Sequence, residues 1–524
     1  MAALVVGVDV GTSSSKGVLT TSDGVVLART SRPHQMSLPL PGHAEMDAEA
    51  IWWGDVVSIC RELALHARGR PIAGLSVSGI GPCVLVTDDD LTPLRPAILY
   101  GIDTRASAEI DELTDRFGAD AILARSGCEL SSQAVGPKLL WVRRHEPDVW
   151  ARTRRWFGSS SYVVARLTGE YVLDHHTASQ CAPLYDLPAR DWATDWVEET
   201  LGDLPMPRLA WPGEVVGTLR ADAARSTGLP SGTPVMAGAV DAWAEAFSCG
   251  VRQPGDLMLM YGSTMFFVQT GRDLKPCPPM WTTMSVEPDM MTFAGGMGTS
   301  GSLLSWVQEL TGNVDIATLA EEAARTPPGA EGLLVLPYFA GERTPIFDPH
   351  ARGVVAGLSL RHRRGHLYRA VYEGIAYGVR QILELLEEAG GPASRVVAVG
   401  GGTRSGPWTQ IVSDVSGIRQ LVPEQTIGAS YGDALLAAIG SGLVPPDTDW
   451  TRIVGEVVPN PENRAVYDEL YEAFTTLYPT TRGHMHQLAE MQEALGGPGP
   501  PGTTADEARQ RTTTRASRRP WDGT

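Results

Sequence analysis

The sequence predicts an α/β protein made of two related domains, and three observations carry that prediction. Apolar runs of strand length alternate with helical patterns along most of the 524 residues. A strand that runs into a glycine-and-hydroxyl turn opens the chain as "VVGVDVGTSSSKGVLT", and the same idea returns in "DLMLMYGSTMFFVQT", Asp256 to Thr270. Between them, "FSCGVRQPGD" reads as a boundary. The expected organisation is therefore 1–247 for the first domain, 248–495 for the second and 496–524 for a tail.

Taken in order, "VVGVDVG" and "GVVLART" are expected to form a hairpin around the hydroxyl-rich turn. "IAGLSVSGI" and "PCVLVTDDD" are further strands. "MMTFAGGMG" is a strand that leads into the amphipathic helix "SLLSWVQEL", and "RVVAVGGGTRSG" leads into "PWTQIVSDVSG". The clearest helix is "GHLYRAVYEGIAYGVRQILELLEEAGG". Leu367, Val371, Ile375, Val379, Ile382 and Leu386 recur on one face, and Gly390 supplies a stop. Pro461 to Leu495 has a helical pattern able to pack back across the body. The last segment, "GGPGPPGTTADEARQRTTTRASRRPWDGT", has little to bury and reads as disordered.

Composition narrows the function. Forty-three Lys and Arg face 61 Asp and Glu, a net charge of -18, so no overall field attracts nucleic acid or an anionic membrane. A small anion in a local pocket is not excluded. The six cysteines are scattered without a C-x-x-C pair, as in reduced cytosolic proteins. The start lacks a basic segment and meets Asp9 too soon for a signal peptide, and no apolar run approaches the ~18 residues of a membrane span. The expected location is cytoplasmic.

The turns carry the chemistry. Glycine permits a tight bend, backbone amides and the hydroxyls of Thr12 and Ser13 can donate to phosphate oxygens, and Lys16 adds charge. Asp9, at a strand end, suits a Mg²⁺ ion held through water. A polar hairpin turn is the plain alternative. The second turn at Gly262 to Thr264 and a third at Gly400 to Ser405 favour a nucleotide gripped between two domains. No G-x-x-x-x-G-K-[ST] occurs, which excludes a Walker-type ATPase. "GGMGTSG" satisfies G-x-G-x-x-G at Gly296, Gly298 and Gly301, but the next strand has no acid at its end before Glu342, which speaks against a dinucleotide site. Asp241 follows an apolar run and precedes a small-residue helix, where an acid is either an N-cap or a base facing a cleft. His175-His176 lacks metal-site spacing, and no G-x-S-x-G elbow is present.

Together these stretches resemble the FGGY family of carbohydrate kinases, most closely its xylulokinase branch, over nearly all of residues 4–450. "GVDVGTSSSKGVL" looks like the first phosphate loop, and "GPKLLWVRRHEP" resembles the first signature around Lys138 and Trp141. "GGGTRSGPWTQIVSDVSG" is similar to the second signature, and "YFAGERTPIFDPHARGVVAGLSL" and "IGASYGDALLAA" read like further family blocks. The resemblance implies two ribonuclease H/actin-like domains with an inter-domain catalytic cleft, and it implies ATP and Mg²⁺ as cofactors. It makes Asp241 the general base and a metal-side acid, with Asp9 positioning Mg²⁺. Thr12, Ser13 and Lys16 would lie by the phosphates, and Gly262 and Ser263 would form a second phosphate loop. Gly301, Leu304, Gly401, Gly402 and Ser405 would line the nucleotide. A homodimer is a family-level expectation.

The implied reaction is phosphorylation of a sugar hydroxyl, with D-xylulose the leading acceptor. The sugar side departs from that branch. Its usual Gly-Gln-Met-His-Gly loop is here Gly79-Ile80-Gly81-Pro82-Cys83, and its Trp-Asn-Asp-x-Arg is Gly101-Ile102-Asp103-Thr104-Arg105. Ala242 follows Asp241 where many xylulokinases have asparagine. Gly81 and Pro82 are then the substrate-loop residues, and Asp103 and Arg105 are the sugar-side candidates, with an ordinary surface salt bridge as their alternative. Lost polar partners change preference, because a pocket discriminates by the hydrogen bonds it leaves paired. L-xylulose, ribulose, erythritol or gluconate are the other acceptors. A non-catalytic actin-like ATP sensor is the reading from a different class.

Overall fold

A computed structural model describes residues 3–494 apart from residue 426; the segment read as a tail lies outside the described residues. Two sheets organise the chain. The first holds β1 (Leu4–Val10), β2 (Ser14–Thr21), β3 (Val26–Pro33), β4 (Ile72–Gly79), β5 (Val215–Thr218) and β6 (Pro234–Met236), in the order β5-β6-β4-β1-β2-β3. The second holds β7 (Asp256–Tyr261), β8 (Met265–Gly271), β9 (Trp281–Met284), β10 (Met291–Gly296), β11 (Arg395–Val399), β12 (Gln420–Pro423) and β13 (Ile453–Val457), in the order β9-β10-β8-β7-β11-β12-β13.

The opening differs from the expected hairpin. The hydroxyl run does not stay in the turn: Ser14, Ser15 and Lys16 enter β2, which pairs with β1 through Asp9↔Lys16 and Val10↔Ser15, and "GVVLART" supplies a third strand against β2. Buried Ser15 gains a ladder position and donates its hydroxyl to Asp55 at 2.8 Å, so extended pairing satisfies the hydroxyl better than a loop would. β1 then runs parallel to β4, as β7 does to β11.

The helices that matter to the cleft are α1 (Ser159–Thr168), α2 (Asp241–Ser248), α3 (Gly301–Leu310), α4 (Arg364–Gly390), α5 (Gly406–Ser416), α6 (Ala429–Gly440) and α7 (Arg464–Ala494). The predicted face of α4 is correct: Val371, Ile375, Val379, Ile382 and Leu386 are buried in the second domain's core, and Leu367 packs at its edge. α7 returns across that domain. Its Tyr467 hydroxyl accepts from Arg369 at 2.8 Å, and His486 meets the buried Asp348 at 2.7 Å.

Two helices trade places. α2 packs on the second sheet, with Val240, Trp243 and Phe247 clustering with Met258, Val268 and Val397. α6 comes from the far end of the sequence but covers the first sheet. A Cβ on Gly7 would sit 2.0 Å from the Ser430 carbonyl oxygen, and one on Gly432 would sit 2.0 Å from that of Ala244. Glycine is required at both contacts because no larger residue lets the backbones meet. Crossed in this way, the pair forms the floor joining the two sheets. No described helix is long and apolar enough to cross a membrane.

Candidate active site

The first half of the site gathers at the carboxyl ends of β1 and β4, where open α/β sheets bind ligands. Asp9 is 6% exposed, and its Oδ1 is buried without a partner among the described residues. Burial, then the nearby Asp241 and Asp433, push its carboxyl well above the usual range, while Lys16 on the paired strand pulls it down. A polar atom buried without a partner is costly unless a ligand completes it. Among the described residues no cluster of three or more acids, histidines or cysteines forms a cage. An octahedral, water-keeping Mg²⁺ ion needs none, since one or two carboxylates and the substrate phosphates suffice. The donor set therefore fits that ion.

The turn at Gly11 to Ser13 is closed by the Gly11 amide donating to the Ser14 carbonyl at 3.2 Å. Thr12 Oγ1 shares a 2.8 Å hydrogen bond with the Tyr100 hydroxyl, and Ser13 is exposed. The loop Gly79 to Cys83 lies alongside. Ile80 donates its amide to Val10 at 2.8 Å, Gly79 donates to Ala239 at 3.1 Å, and a Cβ on Gly81 would lie 2.9 Å from Val240. Gly81 and buried Pro82 thus stand next to the residue before Asp241. Asp241 is the first helical residue of α2, not its N-cap, which is Val240. It is half-buried, and burial raises its carboxyl against the lowering effects of the Ala242 amide at 2.7 Å and of Lys16. A poised, raised carboxylate near a cation suits a general base.

The second half lies at the ends of β7 and β11. The Gly262 amide donates to Thr264 at 3.2 Å, closing a turn in which Ser263 is exposed. Gly301 donates to the Gly262 carbonyl at 3.1 Å, and a Cβ there would lie 2.5 Å from that oxygen. Leu304 sits buried one turn along α3. Gly400 has φ of +91°, and Cβ atoms on Gly400 and Gly402 would strike Tyr261, the last residue of β7. Gly401 belongs to the same turn, and Ser405 caps α5 and shares a 3.1 Å hydrogen bond with Tyr372. The dinucleotide motif dissolves here. β10 is antiparallel to both neighbours, so Gly296, Gly298 and Gly301 form no βαβ unit; they buttress the Gly262 turn instead.

The structure brings Asp103 and Arg105 together, but with each other. Asp103 is fully buried, accepts from Arg105 at 2.7 Å and takes the Ala44 amide at 2.7 Å. Burial alone would raise its carboxyl, yet the bonds from Arg105 and Ala44 hold it below the ordinary value. Arg105 continues to Glu45 at 2.9 Å and lies 5.0 Å over the Trp141 ring, while buried Lys138 donates to the Leu99 carbonyl at 2.7 Å. This is a buried network, not a surface pair.

Sequence reading missed four residues. Glu245 lies one turn beyond Asp241, where burial and then Asp241 raise its carboxyl to about 7. Asp433 on α6 accepts from Ser78 at 2.6 Å and Ser76 at 3.2 Å, and burial raises it to about 8. Its signal was legible: a single acid inside the small, apolar "ASYGDALLAA". Tyr100 and Arg343 had no such signal.

Comparison with known proteins decides the family. The N-terminal domain model of the FGGY family of carbohydrate kinases matches residues 4–248, and the C-terminal domain model matches 257–441. The chain belongs to the FGGY family of carbohydrate kinases. The xylulose kinase of Escherichia coli K12 is 30% identical over 485 residues, 90% of this chain and 98% of that protein. A crystal structure of xylulose kinase from Rhodospirillum rubrum is 35% identical, with a TM-score of 0.86 over 92% of this chain and all of that one. The gluconokinase of Bacillus subtilis is 25% identical over 94% of this chain and 99% of its own length. This FGGY chain is thus an ATP-dependent sugar kinase with the two-domain actin-like fold.

Proposed function

We propose that this FGGY kinase transfers the γ-phosphate of Mg²⁺-ATP to a hydroxyl of D-xylulose. The observation that carries the reading is Asp241, raised by burial at the start of α2 and acted on by Lys16, which lies opposite Asp9 in the β1–β2 ladder. Asp241 takes the proton of the acceptor hydroxyl, whose oxygen then bonds the γ-phosphorus as the bond to ADP breaks. Asp9 would hold Mg²⁺, which supplies charge neutralisation along the phosphates when bound. Thr12, Ser13, Lys16, Gly262 and Ser263 offer amides, hydroxyls and charge to the same phosphates. Gly401, Gly402 and Ser405 would face the nucleotide's far end. Gly81 and Pro82 would touch the sugar, while Asp103 and Arg105 would brace that wall through their buried network.

The xylulose kinases among the relatives support the acceptor. A second reading, another sugar, polyol or sugar acid, is favoured by Ile80-Gly81-Pro82 and Ala242, which offer few side-chain hydrogen bonds to hydroxyls, and by the gluconokinase relative. ADP release across a panel of ketoses, pentoses, polyols and sugar acids tests both. Strong stimulation by D-xylulose alone supports the first reading, and stimulation by a different compound reassigns the acceptor.

A further inference from the structure

The loop Gly341 to Pro345 is built against the second phosphate turn. Gly341 has φ of +70°, and a Cβ there would lie 2.7 Å from the Pro349 carbonyl oxygen, so the chain must bend at a glycine. Glu342 is buried, and its Oε1 accepts the Gly298 amide at 2.5 Å and the Arg343 amide at 2.8 Å. Thr344 donates to the Gly296 carbonyl at 3.3 Å. The Gly298–Gly301 segment in turn grips the turn itself: Ser300 donates its amide to Ser263 at 3.0 Å and its hydroxyl to Gly262 at 3.0 Å. Every link is a backbone or buried side-chain bond, so this loop and the Gly262 turn form one rigid unit.

Arg343 is what that unit presents outward. Its side chain is exposed and is anchored by Nη2 donating to the Met297 carbonyl at 3.2 Å. Among the described residues no carboxylate lies within 4 Å of its guanidinium; neighbouring Glu342 takes two amides on Oε1, leaves Oε2 without a partner, and acts on the Arg343 charge from beyond that distance. The Arg343 charge acts on the Tyr100 hydroxyl of the other domain, which burial raises and the guanidinium draws down. Tyr100 is the residue bonded to Thr12 in the first phosphate turn. A guanidinium with no carboxylate within 4 Å, in a chain of net charge -18 and fixed beside the second phosphate turn, is placed for an anion bound at that turn.

We propose that Arg343 is a further catalytic residue, contributed by the second domain, that binds the phosphoryl group during its transfer. As the acceptor oxygen bonds the γ-phosphorus and its proton goes to Asp241, the bond to ADP breaks and the electron pair stays on the leaving oxygen of ADP. Charge on the transferring oxygens is met by the free N–H groups of Arg343, as other phosphotransferases meet it with an arginine in cis.

The test is Arg343→Met, which keeps the length and removes the charge, beside Arg343→Lys. Because the side chain is exposed, both variants are expected to fold as the parent does. For whichever acceptor stimulates ADP release, kcat of Arg343→Met falls on the order of 10³-fold, KM for acceptor and ATP stays within about threefold, and Arg343→Lys recovers part of the loss. Affinity for ADP with aluminium fluoride, a mimic of the transferring group, drops while affinity for ADP alone holds. That measurement needs no acceptor, so it separates this proposal from the choice of sugar. Unchanged kcat and unchanged ADP–aluminium fluoride affinity overturn the proposal. So does a loss confined to acceptor KM, which makes Arg343 a sugar-binding residue.

Discussion

The two sheets share one plan but dress their turns in opposite ways. From the meander outward, β3-β2-β1-β4-β6-β5 corresponds to β10-β8-β7-β11-β12-β13, with β9 added at the second sheet's edge. In both, a glycine amide closes the turn at 3.2 Å after a strand whose other neighbour is parallel. Around the first turn stand Asp9, Asp241, Glu245 and Asp433 with Lys16 among them. Around the second stand Gly262, Ser263, Gly301, Gly400, Gly401 and Gly402, with the charges of Arg404 in the Gly400 turn and of Arg343 on the loop that braces the Gly262 turn. On the proposed function the difference is a division of labour: the acid half would hold the metal and move the proton, and the glycine half would offer amides and close approach to phosphate.

The strongest way to break this division is Asp241→Asn. It should cut kcat by about 10² to 10⁴-fold while leaving ATP affinity unchanged, checked by steady-state kinetics and nucleotide titration. Near-parental turnover in a folded variant would remove the base from the first half. Gly7→Ala attacks the crossed helices that join the halves. A methyl 2.0 Å from the Ser430 carbonyl forces backbone movement and should cost about 3 kcal/mol, read as a lowered denaturation midpoint. Gly301→Ala perturbs only the second half. Its Cβ pushes on the Gly262 carbonyl, so KM for ATP should rise about tenfold, near 1.4 kcal/mol, with acceptor KM unmoved. Equal effects on both substrates would contradict the division.

The smallest effect is a pH slope. Asp433 and Glu342 have carboxyls raised to about 8 by burial. A raised acid holds its proton in the folded state and not in the unfolded one. The stability it contributes is therefore full below pH ~4 and is lost as pH rises toward about 8, by at most ~1.4 kcal/mol per pH unit for each group. Asp433→Asn should flatten that decline in thermal midpoint between pH 5 and 8, on the order of the same slope. A profile as steep as the parent's would show that Asp433 does not titrate there.

Much of this was readable before folding. β1, β4, β7, β8 and β11 are apolar runs whose ends announce themselves with glycine and hydroxyls, and the face of α4 repeats cleanly. The start of β2 was misjudged because serines read locally as turn, whereas ladder pairing with Asp9 and Val10 decided otherwise. Asp103 and Arg105 looked like an exposed pair or sugar ligands, since spacing cannot reveal that Glu45, Ala44 and Trp141 close around them. Glu245 was an ordinary helical acid until its neighbours were known.

What the sequence determined by itself is local: strands, turns, helix faces, the acids at strand and helix starts, and a family-wide order of motifs. These follow from periodicity and from backbone preferences acting over a few residues. Only the tertiary structure decided that α2 and α6 cross to each other's sheet, that Asp433 from one domain stands beside Asp9 of the other, and that Arg343 is anchored on the Met297 carbonyl beside the Gly262 turn. Those relations join residues up to several hundred positions apart. They arise from packing and from the need to satisfy buried polar groups, which no short stretch of chain encodes.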